Sequence, residues 1–171
     1  RDVARIMERA VDILDREASR GGNPAIVLDV DETALCNWEY EKSVHLGHWS
    51  PAWYAWIERA EAVPIGPTLA LYRNARKLGV AVFFVTGRRE RFRAATAGNL
   101  REAGYTEWDG LMMKPDAYDA PSAAPYKRGC RELIIEQGYR IVLNVGDQES
   151  DLAGGLADYR IKLPNPIYRV P

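Results

Sequence analysis

With 171 residues, 47% of them hydrophobic and 27% charged, the chain fits a single domain with a sizeable buried core. Its 23 Lys and Arg against 24 Asp and Glu leave a formal net charge of -1, so no basic field points to a nucleic-acid polymer or an anionic membrane. No apolar run is long enough for a transmembrane segment, and two cysteines, Cys36 and Cys130, are too few for a disulfide framework or a thiolate zinc site. Small molecules are the expected partners, and the cysteines read as unpaired thiols, with a single bridge between them as the alternative.

Residues 2 to about 20 form a helix whose apolar face carries Val3, Ile6, Met7, Ala10, Ile13, Leu14 and Ala18, and Gly21-Gly22-Asn23-Pro24 stops it. This periodicity starts at Arg1 without Met, so an upstream piece is expected to have been removed and export stays open. Ala25 to Val30 is an apolar strand that breaks into two carboxylates, Asp29 and Asp31. From Thr33 to about Leu78 no strand signal appears. Ser50-Pro51 starts one helix there, and Thr68 to Leu78 forms another. Trp49, Trp53 and Trp56, at helical spacing, are expected in the core; Trp38 and Tyr40 belong in the loop over the end of the first strand. His45 and His48 are expected at the surface or in local hydrogen bonds.

Val80 to Val85 is a second apolar strand, ending in Thr86-Gly87-Arg88 and followed by a helix from about Glu90 to Ala103. A weak strand over 110–113 and a loop over 118–125 lead to a helix from Tyr126 or Lys127 to about Gln137. Ile141 to Val145 is the third strong strand, running into Gly146-Asp147-Gln148-Glu149-Ser150-Asp151, and a short strand from Tyr159 to Leu163 precedes a Pro-rich tail. Apolar strands alternating with helices predict an α/β fold, a Rossmann-like three-layer sandwich with a mostly parallel sheet. Ligands bind such sheets beyond the carboxyl ends of the strands, so the polar ends of the three strong strands converge on one site.

Four carboxylates brought together there, Asp29, Asp31, Asp147 and Asp151, would repel one another without a hard divalent cation, and oxygen-only ligands favour Mg²⁺ over zinc or copper. A hydroxyl and a lysine beside them would bind the oxygens of a phosphoryl group, which is the equipment of phosphoryl transfer. Lys114 also follows a strand and competes with Lys127 for the lysine role; Lys127 is favoured because its helix leads into the strand that ends at Asp147.

Asp29-Val30-Asp31-Glu32-Thr33, Val85-Thr86-Gly87-Arg88, Tyr126-Lys127-Arg128-Gly129-Cys130-Arg131 and Gly146-Asp147-Gln148-Glu149-Ser150-Asp151 resemble the four ordered motifs of the haloacid dehalogenase superfamily. More narrowly, the chain resembles the acid phosphatase branch, subfamily IIIB, which holds bacterial class C acid phosphatases and plant acid phosphatases with their vegetative storage relatives. Ala62-Val63-Pro64 and Leu163-Pro164-Asn165-Pro166 look like that branch too. The resemblance implies one domain over 1–171, with a small helical cap inserted over about 34–79 and joined by the N-terminal helix. It implies a Mg²⁺-dependent phosphomonoesterase acting on small phosphate esters, nucleotides among them, through an aspartyl-phosphate.

In that scheme Asp29 is the nucleophile and a metal ligand, and Asp31 is the general acid and base, with its carbonyl on the metal. Thr86 bonds the phosphoryl oxygens and Lys127 neutralises them. Asp147 completes the ligands, and Asp151 holds a metal-bound water or Lys127. Arg88 contacts phosphate or makes an ion pair at a helix start. Trp38 and Tyr40 stack on the leaving group or pack the cap. The alternatives are a catalytically weak storage or binding protein of the same fold, and a phosphotransferase. A response-regulator domain fits poorly, because its acceptor Asp ends a central strand rather than the first. The family resemblance also implies export to a periplasm or secretion, and the apolar surface is adequate for a homodimer without requiring one.

Overall fold

The structure is a computed structural model that describes residues 2–47 and 49–170; His48, read as surface or locally bonded, lies outside them. Helix α1 (Asp2–Glu17) leads into β1 (Pro24–Leu28). A short strand β2 (Leu35–Cys36), helices α2 (Trp38–Ser43) and α3 (Ser50–Arg59), and a second short strand β3 (Val63–Pro64) follow. The chain continues through α4 (Gly66–Lys77), β4 (Ala81–Arg89), a 3-10 turn (Glu90–Phe92), α5 (Arg93–Glu102) and β5 (Gly110–Lys114). It ends with α6 (Ala124–Glu136), β6 (Arg140–Gly146), α7 (Glu149–Leu152) and β7 (Tyr159–Lys162).

Five strands pair in parallel in the order β5-β4-β1-β6-β7, as the continuous apolar runs predict. Alternate residues of these strands feed two cores. Ile26, Leu28, Val82 and Phe84 pack with Met7, Leu14, Leu71 and Leu100 from α1, α4 and α5 on one face. Ala25, Val27, Phe83 and Val85 pack with Cys130 and Ile134 of α6 on the other. Each fully buried Leu, Ile or Phe here contributes about 1.5 to 3 kcal/mol. Both cysteines are free, Cys36 half-buried and Cys130 buried.

Two expectations change. The segment 33–78 does hold strands: β2 and β3 pair antiparallel, Leu35 opposite Pro64 and Cys36 opposite Val63, too short to leave a periodic signal. Helices α1 and α4, expected with the cap, pack on each other and against β6 and β4, so they belong to the layer covering the sheet. What stands over the sheet edge is the α2–α3 segment, hung from the β2–β3 stem, with α3 leaning on α5.

The far end of that stem is clasped from the body. Asn99, buried on α5, accepts from the Ala62 N–H at 3.2 Å and donates through Nδ2 to the Ala62 carbonyl at 2.7 Å, imitating a strand partner. Asn99→Ala leaves two buried backbone groups unpaired. It should cost about 2 kcal/mol, read as a lower denaturant midpoint at unchanged slope.

Candidate active site

The chain turns sharply once β1 ends. Asp29 still donates its N–H to Val145 of β6 at 3.0 Å, and the N–H groups of Ala34 and Leu35 then converge on the Val30 carbonyl at 2.9 and 2.8 Å. Glu32 sits inside this turn in the left-handed region, at φ 53, a conformation that costs a non-glycine residue energy and here gathers donors. Its carboxylate accepts from the Asn37 N–H, the Asn37 Nδ2 and the Tyr168 hydroxyl at 2.7, 2.9 and 2.8 Å. Burial and the neighbouring Asp31 push its pKa up to about 7, against the pull of those donors.

Asp29 from the end of β1 meets Asp147 and Asp151 from beyond β6: the three buried carboxylates offer oxygens within 4.8 Å of one another. Lys127 on α6 reaches in from the second face, its Nζ 2.6 Å from Asp29 and 2.5 Å from Asp151. Close approach of Asp151 requires Gly146, since a Cβ there would lie 2.3 Å from the Cβ of Asp151. One lysine does not balance three acids. Burial and then the Asp151 charge raise the pKa of Asp29 well above the usual carboxylate range, and burial also raises Asp147. Burial alone would lower Lys127, but Asp29 and Asp151 raise it on balance. A buried, oxygen-only donor set short of positive charge fits a hard divalent cation.

Asp31 takes a different environment. Its carboxylate accepts from Arg88 Nη2 at 2.7 Å and Asn37 Nδ2 at 2.9 Å, while Arg88 itself is 3% exposed and lies 5.6 Å from the Trp53 ring centroid. Arg88 thus forms an ion pair with Asp31. Thr86 is fully buried with its hydroxyl accepting the Arg88 N–H at 3.1 Å, and it is not among the residues lining the cavity.

That cavity, about 540 Å³, opens directly over Asp29, Asp31, Lys127 and Asp151. Tyr40, Glu41 and Trp53 wall it from the cap, Lys114 from the end of β5, Pro121 from the loop that follows, and Tyr168 from the tail. Tyr40 and Trp53 pack with centroids 5.0 Å apart. Trp38 does not join them: it is 46% exposed and turned away, because residues two apart on a helix do not share a face. Trp49 is 64% exposed rather than core, since it precedes α3 in extended backbone and falls off the helical spacing that places Trp53 and Trp56. Lys114 lines the cavity without reaching the acids. Burial, then Arg89 and Lys127, lower its pKa. Glu41, Asn37, Glu32 and Tyr168 are site residues that sequence patterns did not mark; only the position of Glu32 inside the acidic motif hinted at it.

A family model described as HAD superfamily, subfamily IIIB (Acid phosphatase) matches residues 1–171. Acid phosphatase 1 of Solanum lycopersicum is 39% identical over 153 residues, 87% of this chain and 60% of that protein. Vegetative storage protein 1 of Arabidopsis thaliana is 34% identical over 149 residues, 85% of this chain and 55% of that protein. The chain thus spans 55 to 60% of the length of these relatives. The fold is that of the class C acid phosphatase from Bacillus anthracis, at TM-score 0.78 and 23% identity over 98% of this chain and 80% of that one.

Proposed function

Because the chain belongs to subfamily IIIB of the HAD superfamily, we propose that it is a metal-dependent phosphomonoesterase working through Asp29 as nucleophile. The observation that carries this reading is the placement of Asp29, ion-paired to Lys127, and Asp31 together in the floor of one cavity. Asp29 and Asp147, with the Asp31 carbonyl, are the groups that would hold Mg²⁺, with Asp151 beside them holding Lys127 or a metal-bound water; bound there, the ion would offset the charge of the acids and of the incoming phosphate.

An Asp29 oxygen attacks phosphorus, and the P–O bond to the leaving group breaks as Asp31 delivers a proton to the departing oxygen. Asp31 then takes a proton from the water that attacks the aspartyl-phosphate, releasing phosphate and restoring Asp29. Lys127 draws charge from the transferring oxygens and holds Asp29 in place, while Asp151 anchors the lysine from its other side. Arg88 fixes the orientation of the Asp31 carboxylate. The Thr86 hydroxyl accepts the Arg88 N–H and keeps its own proton to donate to a phosphoryl oxygen. The Tyr40 and Trp53 rings suit an apolar or aromatic leaving group, nucleosides included.

The likeness to a vegetative storage protein favours a second reading, a catalytically weak storage protein. The complete set of Asp29, Asp31, Lys127, Asp147 and Asp151 favours the enzyme. A steady-state assay on an aryl phosphate decides between them. Turnover should vanish on chelation and return with Mg²⁺, and saturating Mg²⁺ at about 100 times its Kd should add about 2.7 kcal/mol of stability. Turnover indifferent to chelation would rule out the metal role; absence of turnover on aryl, nucleotide and sugar phosphates alike would favour storage.

A further inference from the structure

We propose that Asn165 is a positioning residue for Asp147, which makes the C-terminal segment 164–170 a working wall of the site. The inference rests on the metal-dependent reading above and adds to it a residue outside the four motifs.

The segment returns from β7 across the ends of β1 and β6. Asn165 donates through Nδ2 to Asp147 Oδ2 at 2.7 Å, beside the Gln148 Nε2 donor at 2.5 Å to the same oxygen. Thr33 donates to the other oxygen, Oδ1, at 3.3 Å. Three donors from three parts of the chain therefore fix the Asp147 carboxylate. The orientation of the Asn165 amide is itself determined: its Oδ1 accepts the Ile167 and Tyr168 N–H groups at 2.9 and 3.3 Å, and backbone donors can only meet the oxygen. The amide nitrogen has no choice but to face Asp147.

The segment is tied down beyond Asn165 as well. The Tyr168 hydroxyl donates to Glu32 at 2.8 Å, and the Val170 N–H donates to Gln148 Oε1 at 3.1 Å. Asp147 does not line the large cavity; it lines a smaller one of about 380 Å³, together with Asn165 and Lys162. Tyr168, Arg169, Val170 and Gln148 line both, so the segment is the partition between them. Carboxylates that bind metals depend on such supporting hydrogen bonds for their orientation, and losing one costs about 10- to 100-fold in metal affinity.

The test is Mg²⁺ binding by titration calorimetry on the wild-type protein, Asn165→Ala and Asn165→Ser. Serine can still accept from the backbone two residues on and so keeps the local turn, but it is too short to reach Asp147. Both variants should bind Mg²⁺ about 10- to 100-fold more weakly. A serine variant that binds like the wild type would overturn the proposal, because it would show that the turn matters and the contact with Asp147 does not. If the alanine variant does not fold, the serine variant alone decides. A wild-type protein that takes up no Mg²⁺ would sink the metal reading itself. Wild-type binding matched within twofold by both variants would sink this inference alone.

Discussion

Asp29→Asn should lower turnover of an aryl phosphate by at least about a thousandfold while leaving the protein folded, because a neutral amide cannot form the covalent intermediate. The two halves of this expectation have separate causes. Catalysis is lost with the attacking oxygen. Stability is not, because Asp29 works against its own burial: a carboxylate with a raised folded pKa binds its proton more tightly in the folded than in the unfolded chain, and so opposes folding above the unfolded value of about 3.9. The amide keeps the shape and removes one of three crowded charges, and Lys127 retains Asp151. The thermal midpoint of the chelated protein at neutral pH should therefore hold or rise. A variant that retained turnover would exclude the covalent route; one that unfolded would show Asp29 to be structural.

Lys127→Met should have the opposite profile, harming both stability and rate. The side chain is buried between Asp29 and Asp151, and removing the cation leaves two buried acids without their counter-charge. Breaking a buried pair in this way costs about 3 to 5 kcal/mol. Lys127 is held above the ordinary lysine range, so its contribution is present throughout the neutral range and would fade only as pH rises past its folded value. In the variant the burden passes to the carboxylates, and the folded state binds protons that the unfolded chain releases. Lowering the pH from 8 towards 5 should therefore restore part of the loss in chelated protein. Turnover should fall about 100- to 1,000-fold, the scale of losing one group aimed at developing charge. Denaturant unfolding at the two pH values, beside kcat, checks both; a pH-independent loss would point to packing rather than charge.

The parts of this site that could be read in the sequence are those that strands impose. Asp29, Thr86 and Asp147 stand at or just past the ends of apolar runs, and parallel pairing brings such ends together whatever lies between. The acid cluster follows from that geometry, and Lys127 from the helix that leads into β6. Partners chosen by the later course of the chain left no periodic trace, and the resemblance of Leu163-Pro164-Asn165-Pro166 marked the tail without telling what it touches. Tyr168 meets Glu32, and Asn165 meets Asp147, through a tail with no periodicity of its own. The unlike fates of Trp38 and Tyr40 turn on a short helix, α2, on which residues two apart fall on opposite sides. β2 and β3 exist because they pair, and strands of two residues carry no pattern.

That pairing has a further consequence. The chain leaves the body at Leu35–Cys36 and re-enters at Val63–Pro64, side by side at the spacing of adjacent strands, about 5 Å. Both flanks are bolted from the body: Ala34 by the Tyr105 hydroxyl at 2.9 Å, Ala62 by Asn99. The intervening stretch is therefore a cassette. Its ends are fixed independently of its contents, and lengthening it twofold would add only about 0.6 kcal/mol of closure entropy. The cavity walls that the cap supplies, Tyr40, Glu41 and Trp53, therefore ride on a stretch anchored by its ends, with Asn37 as its tie to Asp31 and Glu32.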